Sequence, residues 1–134
     1  MRWICTVAIF GLMMACAPAH SKKMLQVDQG FDGREVVLHS NEMLEVRLSE
    51  NASTGYRWAM PLELNANWAA TLREVENSFE STRPTPGKPG TRVLRFEAIQ
   101  PGKAELVLEY RRSWQDGAKP AKSFRLRVSV EPAG

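Results

Sequence analysis

The chain has 134 residues, room for one domain around one core, and 43% of them are hydrophobic, a proportion that suits a globular protein and not a disordered tail. Its 18 basic and 15 acidic side chains are interspersed, so the net charge of +3 is a small imbalance rather than a field able to hold nucleic acid. No nucleic-acid partner is expected.

Arg2 is followed by an apolar run from Ile4 to Ala15, too short for the roughly 20 residues of a membrane-spanning helix but the length of a secretory h-region. Residues 1–15 therefore read as a signal peptide of the lipoprotein type. Cleavage after Ala15 would leave Cys16 first, and Leu12-Met13-Met14-Ala15-Cys16 resembles a bacterial lipobox, whose cysteine receives acyl chains; Met13 stands where that motif prefers leucine. Ordinary cleavage after Ala15, Ala17 or Ala19 is the alternative. Cys5 leaves with the leader, so the exported chain has no pair of cysteines for an internal disulfide. Residues 16–24 are polar and basic (His20, Ser21, Lys22, Lys23) and read as a tether, with 25–134 as the folded domain. Ala17, in place of aspartate behind the cysteine, resembles the sorting pattern of outer-membrane lipoproteins. The expected location is the periplasmic side of the cell envelope, with membrane contact only through a lipid at Cys16.

Beyond the tether the dominant period is two. Leu44, Val46 and Leu48 alternate with Glu45 and Arg47, a half-buried strand. Then comes Asn51-Ala52-Ser53-Thr54-Gly55-Tyr56-Arg57-Trp58, a small, turn-prone tip backed by aromatics. Ser53 and Thr54 offer hydrogen bonds, Gly55 permits a positive φ, and Trp58 is expected inside the domain, holding the turn. From Glu63 to Val75 the apolar residues Leu64, Trp68, Ala69 and Leu72 suit either a helical face or a bent strand; strand plus irregular structure is expected. Arg83 to Gly90 is crowded with proline and glycine and forms a loop ending in Gly87-Lys88-Pro89-Gly90-Thr91.

Leu94, Phe96 and Ala98 then alternate with Val93, Arg95 and Glu97; Pro101-Gly102 turns the chain; Ala104, Leu106, Leu108 and Tyr110 alternate with Glu105, Val107 and Glu109. Continuing that strand puts Arg112 and Trp114 on the core face, but the following Gln115-Asp116-Gly117 draws Trp114 into a loop, where an exposed tryptophan beside arginine has the composition of a binding hot spot. The competing placement folds Trp114 back as a lid on the core. Last, Phe124, Leu126, Val128 and Val130 face one way while Ser123, Arg125, Arg127 and Ser129 face the other. Short strands between polar turns, without a helix–strand repeat, specify an all-β, immunoglobulin-like antiparallel β-sandwich.

Catalysis is poorly supplied. His20 lies in the tether, His39 near a strand end, and no nucleophile-elbow motif or exported nucleophilic cysteine accompanies them. Glu35, Glu42, Glu45 and Glu50 lie on mixed faces, and no His or Cys pair has ligand spacing, so no metal or cofactor is expected.

The three loops together carry a resemblance. Asn51-Ala52-Ser53-Thr54-Gly55-Tyr56 resembles the chagasin-family signature Asn-Pro-Thr-Thr-Gly-aromatic, Gly87-Lys88-Pro89-Gly90-Thr91 its glycine-rich loop, and Arg112-Ser113-Trp114 its Arg-Pro-Trp. Order and spacing agree, and the likeness runs from about Met24 to Val130. The family is one of cysteine-protease inhibitors. The resemblance implies a non-enzymatic monomer whose loops converge at one end and enter the cleft of a papain-like enzyme, the Ser53-Thr54-Gly55 tip near the catalytic cysteine and Trp114 and the Gly87–Thr91 loop on the cleft walls. Ala52 and Ser113 stand where the family has proline, so each loop loses a fixed φ, on the order of 0.4–1 kcal/mol apiece. Two readings compete: an envelope adhesion or assembly module holding a non-protease partner by the same end or by an exposed edge strand, and a carbohydrate-binding lipoprotein using Trp58 and Trp114 as stacking platforms.

Overall fold

The computed structural model describes residues 21–61, 68–81, 88–112, 114, 117 and 119–133. The leader, Cys16, Gly87 and Ser113 lie outside the described residues. Eight strands follow one another: β1 (Met24–Val27), β2 (Glu35–His39), β3 (Met43–Glu50), β4 (Tyr56–Ala59), β5 (Leu72–Glu80), β6 (Gly90–Ala98), β7 (Gly102–Arg112) and β8 (Lys122–Glu131). They form two four-stranded sheets, ordered β1-β3-β6-β5 and β2-β8-β7-β4, and the described residues contain no α-helix. The segment Glu63–Val75 supplies a short helical turn, Trp68–Ala70, and the start of β5; residues 62–67 lie outside the described residues.

The expected antiparallel pairing holds in four ladders, β3–β6, β5–β6, β7–β8 and β4–β7, and gives way to parallel pairing at one edge of each sheet. β1 runs parallel to β3, with Met24 opposite Met43, and β2 parallel to β8, with Glu35 opposite Arg127. Parallel neighbours in one sheet need a long crossover. Here β2, lying in the other sheet, is the crossover between β1 and β3. Met24 opens β1, and Lys22, read as tether, already pairs with Glu97 at 2.5 Å.

Between the sheets, Leu44, Val46, Leu48, Leu94, Phe96, Leu106, Leu108, Phe124, Leu126 and Leu38 are all but fully buried, and each such burial stabilises by about 1.5–3 kcal/mol. The outer face of the β1-β3-β6-β5 sheet departs from the expected wet face, since Glu45, Val93 and Glu97 are buried there. Arginine side chains laid across the strands cover them with their stems while their heads pair. Glu45 accepts from Arg95 at 2.6 Å and Arg47 at 3.2 Å, Arg95 also meets Glu76, and Glu97 is held between Lys22 and Arg73, each at 2.5 Å.

Burial alone would raise the Glu45 carboxyl, but hydrogen bonds from Arg95 and Arg47, with their charge, outweigh it and hold it below the ordinary glutamate value. Glu97 is held down by its hydrogen bonds from Lys22 and then Arg73, against a smaller opposing effect of burial. A carboxyl lowered by folding stabilises the fold above its unfolded-state value and loses that contribution as pH falls through the folded one. The melting temperature is therefore expected to hold from neutral pH to about 5 and to drop below about 4, with a shallower drop in a Glu45→Gln, Glu97→Gln double variant. The change is modest, since Lys22 and Arg73 are exposed.

Candidate functional site

β3 runs directly into the first loop, and Asn51 shapes it. The Asn51 side-chain oxygen accepts from the Ser53 amide at 3.2 Å and its hydroxyl at 2.7 Å, nucleating a helical turn over Ala52–Thr54. The Thr54 hydroxyl donates to the Asn51 carbonyl at 2.8 Å, and Gly55 closes the turn at φ 77, a conformation that favours glycine. Ala52, Ser53 and Thr54 are exposed at the tip. These bonds order the loop locally even with alanine where the family signature has proline.

Behind the tip is an aromatic stack. Tyr56 lies over Tyr110 with ring centroids 5.1 Å apart, and Trp58 lies 5.0 Å from the same ring. The Asn51 amide donates to the Tyr110 hydroxyl at 3.0 Å, and the Trp58 indole donates to the Ser49 carbonyl at 2.9 Å. Trp58 is buried, as expected of a residue holding the turn. That burial removes it as a stacking platform for a sugar.

Arg112, opposite Tyr56 at the end of β7, continues the core-facing row and clamps the first loop to the third. Its guanidinium sits 4.5 Å over the Tyr56 ring and 5.8 Å from that of Trp114, and its Nε donates to the Thr54 carbonyl at 3.1 Å. Trp114 leaves the sheet, 67% exposed, with one ring edge against the Gly55 backbone. A Cβ on Gly55 would lie 2.0 Å from Trp114 Cη2, so only glycine admits this contact. The lid placement of Trp114 is thereby ruled out.

The second loop joins through the ladder. Gly90 is opposite Glu50, and Thr91 is opposite both Ser49 and Glu80, so the end of the second loop, where it enters β6, lies beside the start of the first loop. Lys88 and Pro89 are exposed, whereas a Cβ on Gly90 would come within 2.4 Å of the Phe79 ring. With Tyr110 opposite Lys122, the described ends of all three loops stand at one pole. Glu50 and Arg92, absent from the sequence-based site, lie beneath them: Glu50 is 1% exposed and Arg92 forks it at 2.6 and 3.1 Å. Their signal was a charge on the core-facing row of each strand, Glu50 after Leu48 and Arg92 before Leu94, at neighbouring positions of one ladder.

Among its described residues the pole shows no acid–base machinery. The Ser53 and Thr54 hydroxyls bond back to Asn51, while His39, the one histidine among the described residues, is exposed at the opposite pole, 3.5 Å from carboxylates of Glu42 and Glu131.

Residues 37–128 match the model of a family described as chagasin family peptidase inhibitor I42. Amoebiasin-2 of Entamoeba histolytica is 24% identical over 94 residues, 67% of this chain and 72% of that one. Among solved structures, a cysteine protease inhibitor of Entamoeba histolytica aligns with a TM-score of 0.66 at 20% identity, covering 82% of this chain and 97% of that one. Amebosin, solved in solution, gives 0.64 at 24% identity over 83% and 100% of the two chains. PbICP-C, solved in complex with falcipain-2, gives 0.52 at 18% identity over 83% and 93%. The solved structures share the immunoglobulin-like sandwich with this chain.

Proposed function

This chain belongs to the chagasin family of peptidase inhibitors, and from that membership we propose that it inhibits papain-like cysteine proteases by seating its three-loop pole in their active-site cleft, as a monomer. The observation that carries the reading is the contact of Trp114 with Gly55, clamped by Arg112, which makes the first and third loops one preformed projection with an exposed aromatic face. Inhibition is occlusion: the tip presents backbone and short side chains near the catalytic cysteine, and Trp114 with Lys88 and Pro89 meets the cleft walls. A preformed projection loses less ordering entropy on docking than a flexible peptide does. The likeness to a cysteine protease inhibitor of Entamoeba histolytica, and to PbICP-C held in a complex with falcipain-2, supports a papain-like target.

Titration of the purified chain into papain with a fluorogenic substrate is expected to abolish activity competitively with substrate. Full papain activity at micromolar inhibitor, repeated with a cathepsin L-like enzyme, would refute the reading. We further propose that the chain is exported and carried on the periplasmic side of the outer membrane by acyl chains on Cys16, which the mass of the amino-terminal peptide from native membranes checks directly.

A further inference from the structure

Four polar or charged residues are buried among the described residues: Glu45, Glu50, Thr71 and Glu97. Glu45 and Glu97 belong to the paired outer face, and Thr71 lies at the pole away from the loops. Glu50 alone sits beneath the loops, and its bonds join three strands, its own β3 with β6 and β4, across the two sheets. One carboxylate oxygen accepts from Arg92 Nη2 at 2.6 Å; the other accepts from Arg92 Nε at 3.1 Å and from the Trp58 amide at 3.0 Å. Arg92 is fixed in turn by Asn77 at 3.1 Å and by the Phe79 ring at 5.5 Å.

Each partner has a particular place in the chain. Glu50 is the last residue before the first loop, Trp58 follows two residues after Tyr56 on the loop's far side, and Arg92 follows two residues after Gly90, where the second loop rejoins the sheet. One carboxylate thus ties both ends of the first loop to the root of the second. A buried ion pair is an unneeded way to fill a core, because apolar residues of the same volume would hold it at least as firmly. Directional bonds at fixed spacing are what apolar contacts do not provide.

We propose that Glu50 is a positioning residue for inhibition: through Arg92 and the Trp58 amide it sets the spacing of the first and second loops, and with it the width of the wedge offered to a protease cleft. This rests on the protease reading of the loop pole. Without the pair the domain folds but its loops sample a range of separations, and fewer encounters with a cleft are productive.

The test compares the full chain with a Glu50→Leu, Arg92→Met double variant and with Glu50→Gln, which keeps the shape and one acceptor. Three quantities are read: melting temperature, papain association rate and inhibition constant, and hydrogen exchange of the amides of residues 52–56 and 90–91. The double variant is expected to melt near the wild-type temperature, to exchange its loop amides faster, and to bind papain about tenfold more weakly, chiefly through slower association. Glu50→Gln should fall between. Wild-type exchange and wild-type affinity in a folded double variant would overturn the proposal, as would affinity that merely tracks a fall in melting temperature. Should the double variant not fold, the same outcomes in Glu50→Gln decide. Should the unmodified chain leave papain active, the protease reading fails by itself, and exchange rates alone then show whether Glu50 sets the loops.

Discussion

Trp58→Ala is expected to cost about 3–5 kcal/mol of folding stability, the range of a large aromatic truncated in a packed core. The side chain is 3% exposed, packs on the Tyr110 ring, and satisfies the Ser49 carbonyl through its indole N–H. Alanine leaves both a void and an acceptor without its partner, and the second loss adds to the first. Against a typical total of about 5–15 kcal/mol this is a large share, so inhibition should fall mainly because the folded population falls. Urea unfolding of the wild type and the variant reads the difference. A change under about 1 kcal/mol would show that Trp58 holds up neither the core nor the loop.

Trp114→Ala should behave in the opposite way. With 67% of its surface in solvent, Trp114 contributes little to the core, and the melting temperature is expected to stay close to that of the wild type. Inhibition is expected to weaken by about 2 kcal/mol or more, roughly thirtyfold, the loss typical of a tryptophan that becomes desolvated at the centre of an interface. Part of that loss comes from within the inhibitor, because the ring also covers Gly55 and shares the Arg112 guanidinium with Tyr56. Melting curves and papain inhibition constants, measured on the same preparations, separate contact from scaffold. The assignment fails if Trp114→Ala unfolds the domain while each folded molecule inhibits as the wild type does.

Much of this architecture was legible from the residues, and the physical reason is local. β3, β6, β7 and β8 have alternating apolar faces and polar turns at their ends, and the structure places them with the expected faces inward. β1 and β4 are four residues each, too short for a period of two to show, and the parallel pairing of β1 and β2 at the sheet edges depends on a crossover through the opposite sheet that no local pattern encodes. At the site, the loop residues were readable from turn chemistry and from their likeness to a known signature, and Trp58 from its place behind a turn. The clamp of Arg112 on Thr54 and the fork of Arg92 on Glu50 were not, because each joins residues more than forty positions apart and exists only once the ladders are in register.

The parallel pairing of β1 with β3 also gives the domain a direction. Met24 stands beside Met43, at the start of a strand that ends in the first loop, and β8 finishes with Glu131 beside His39, at the same far end. Both flanking segments therefore leave from the pole opposite the loops, about 25 Å away along an eight-residue strand at about 3.4 Å per residue. A chain held by either end, whether by a lipid, an affinity tag or a fused protein, presents the wedge outward with the sandwich itself as the spacer. A protease as wide as the domain can then dock without meeting whatever surface carries the inhibitor.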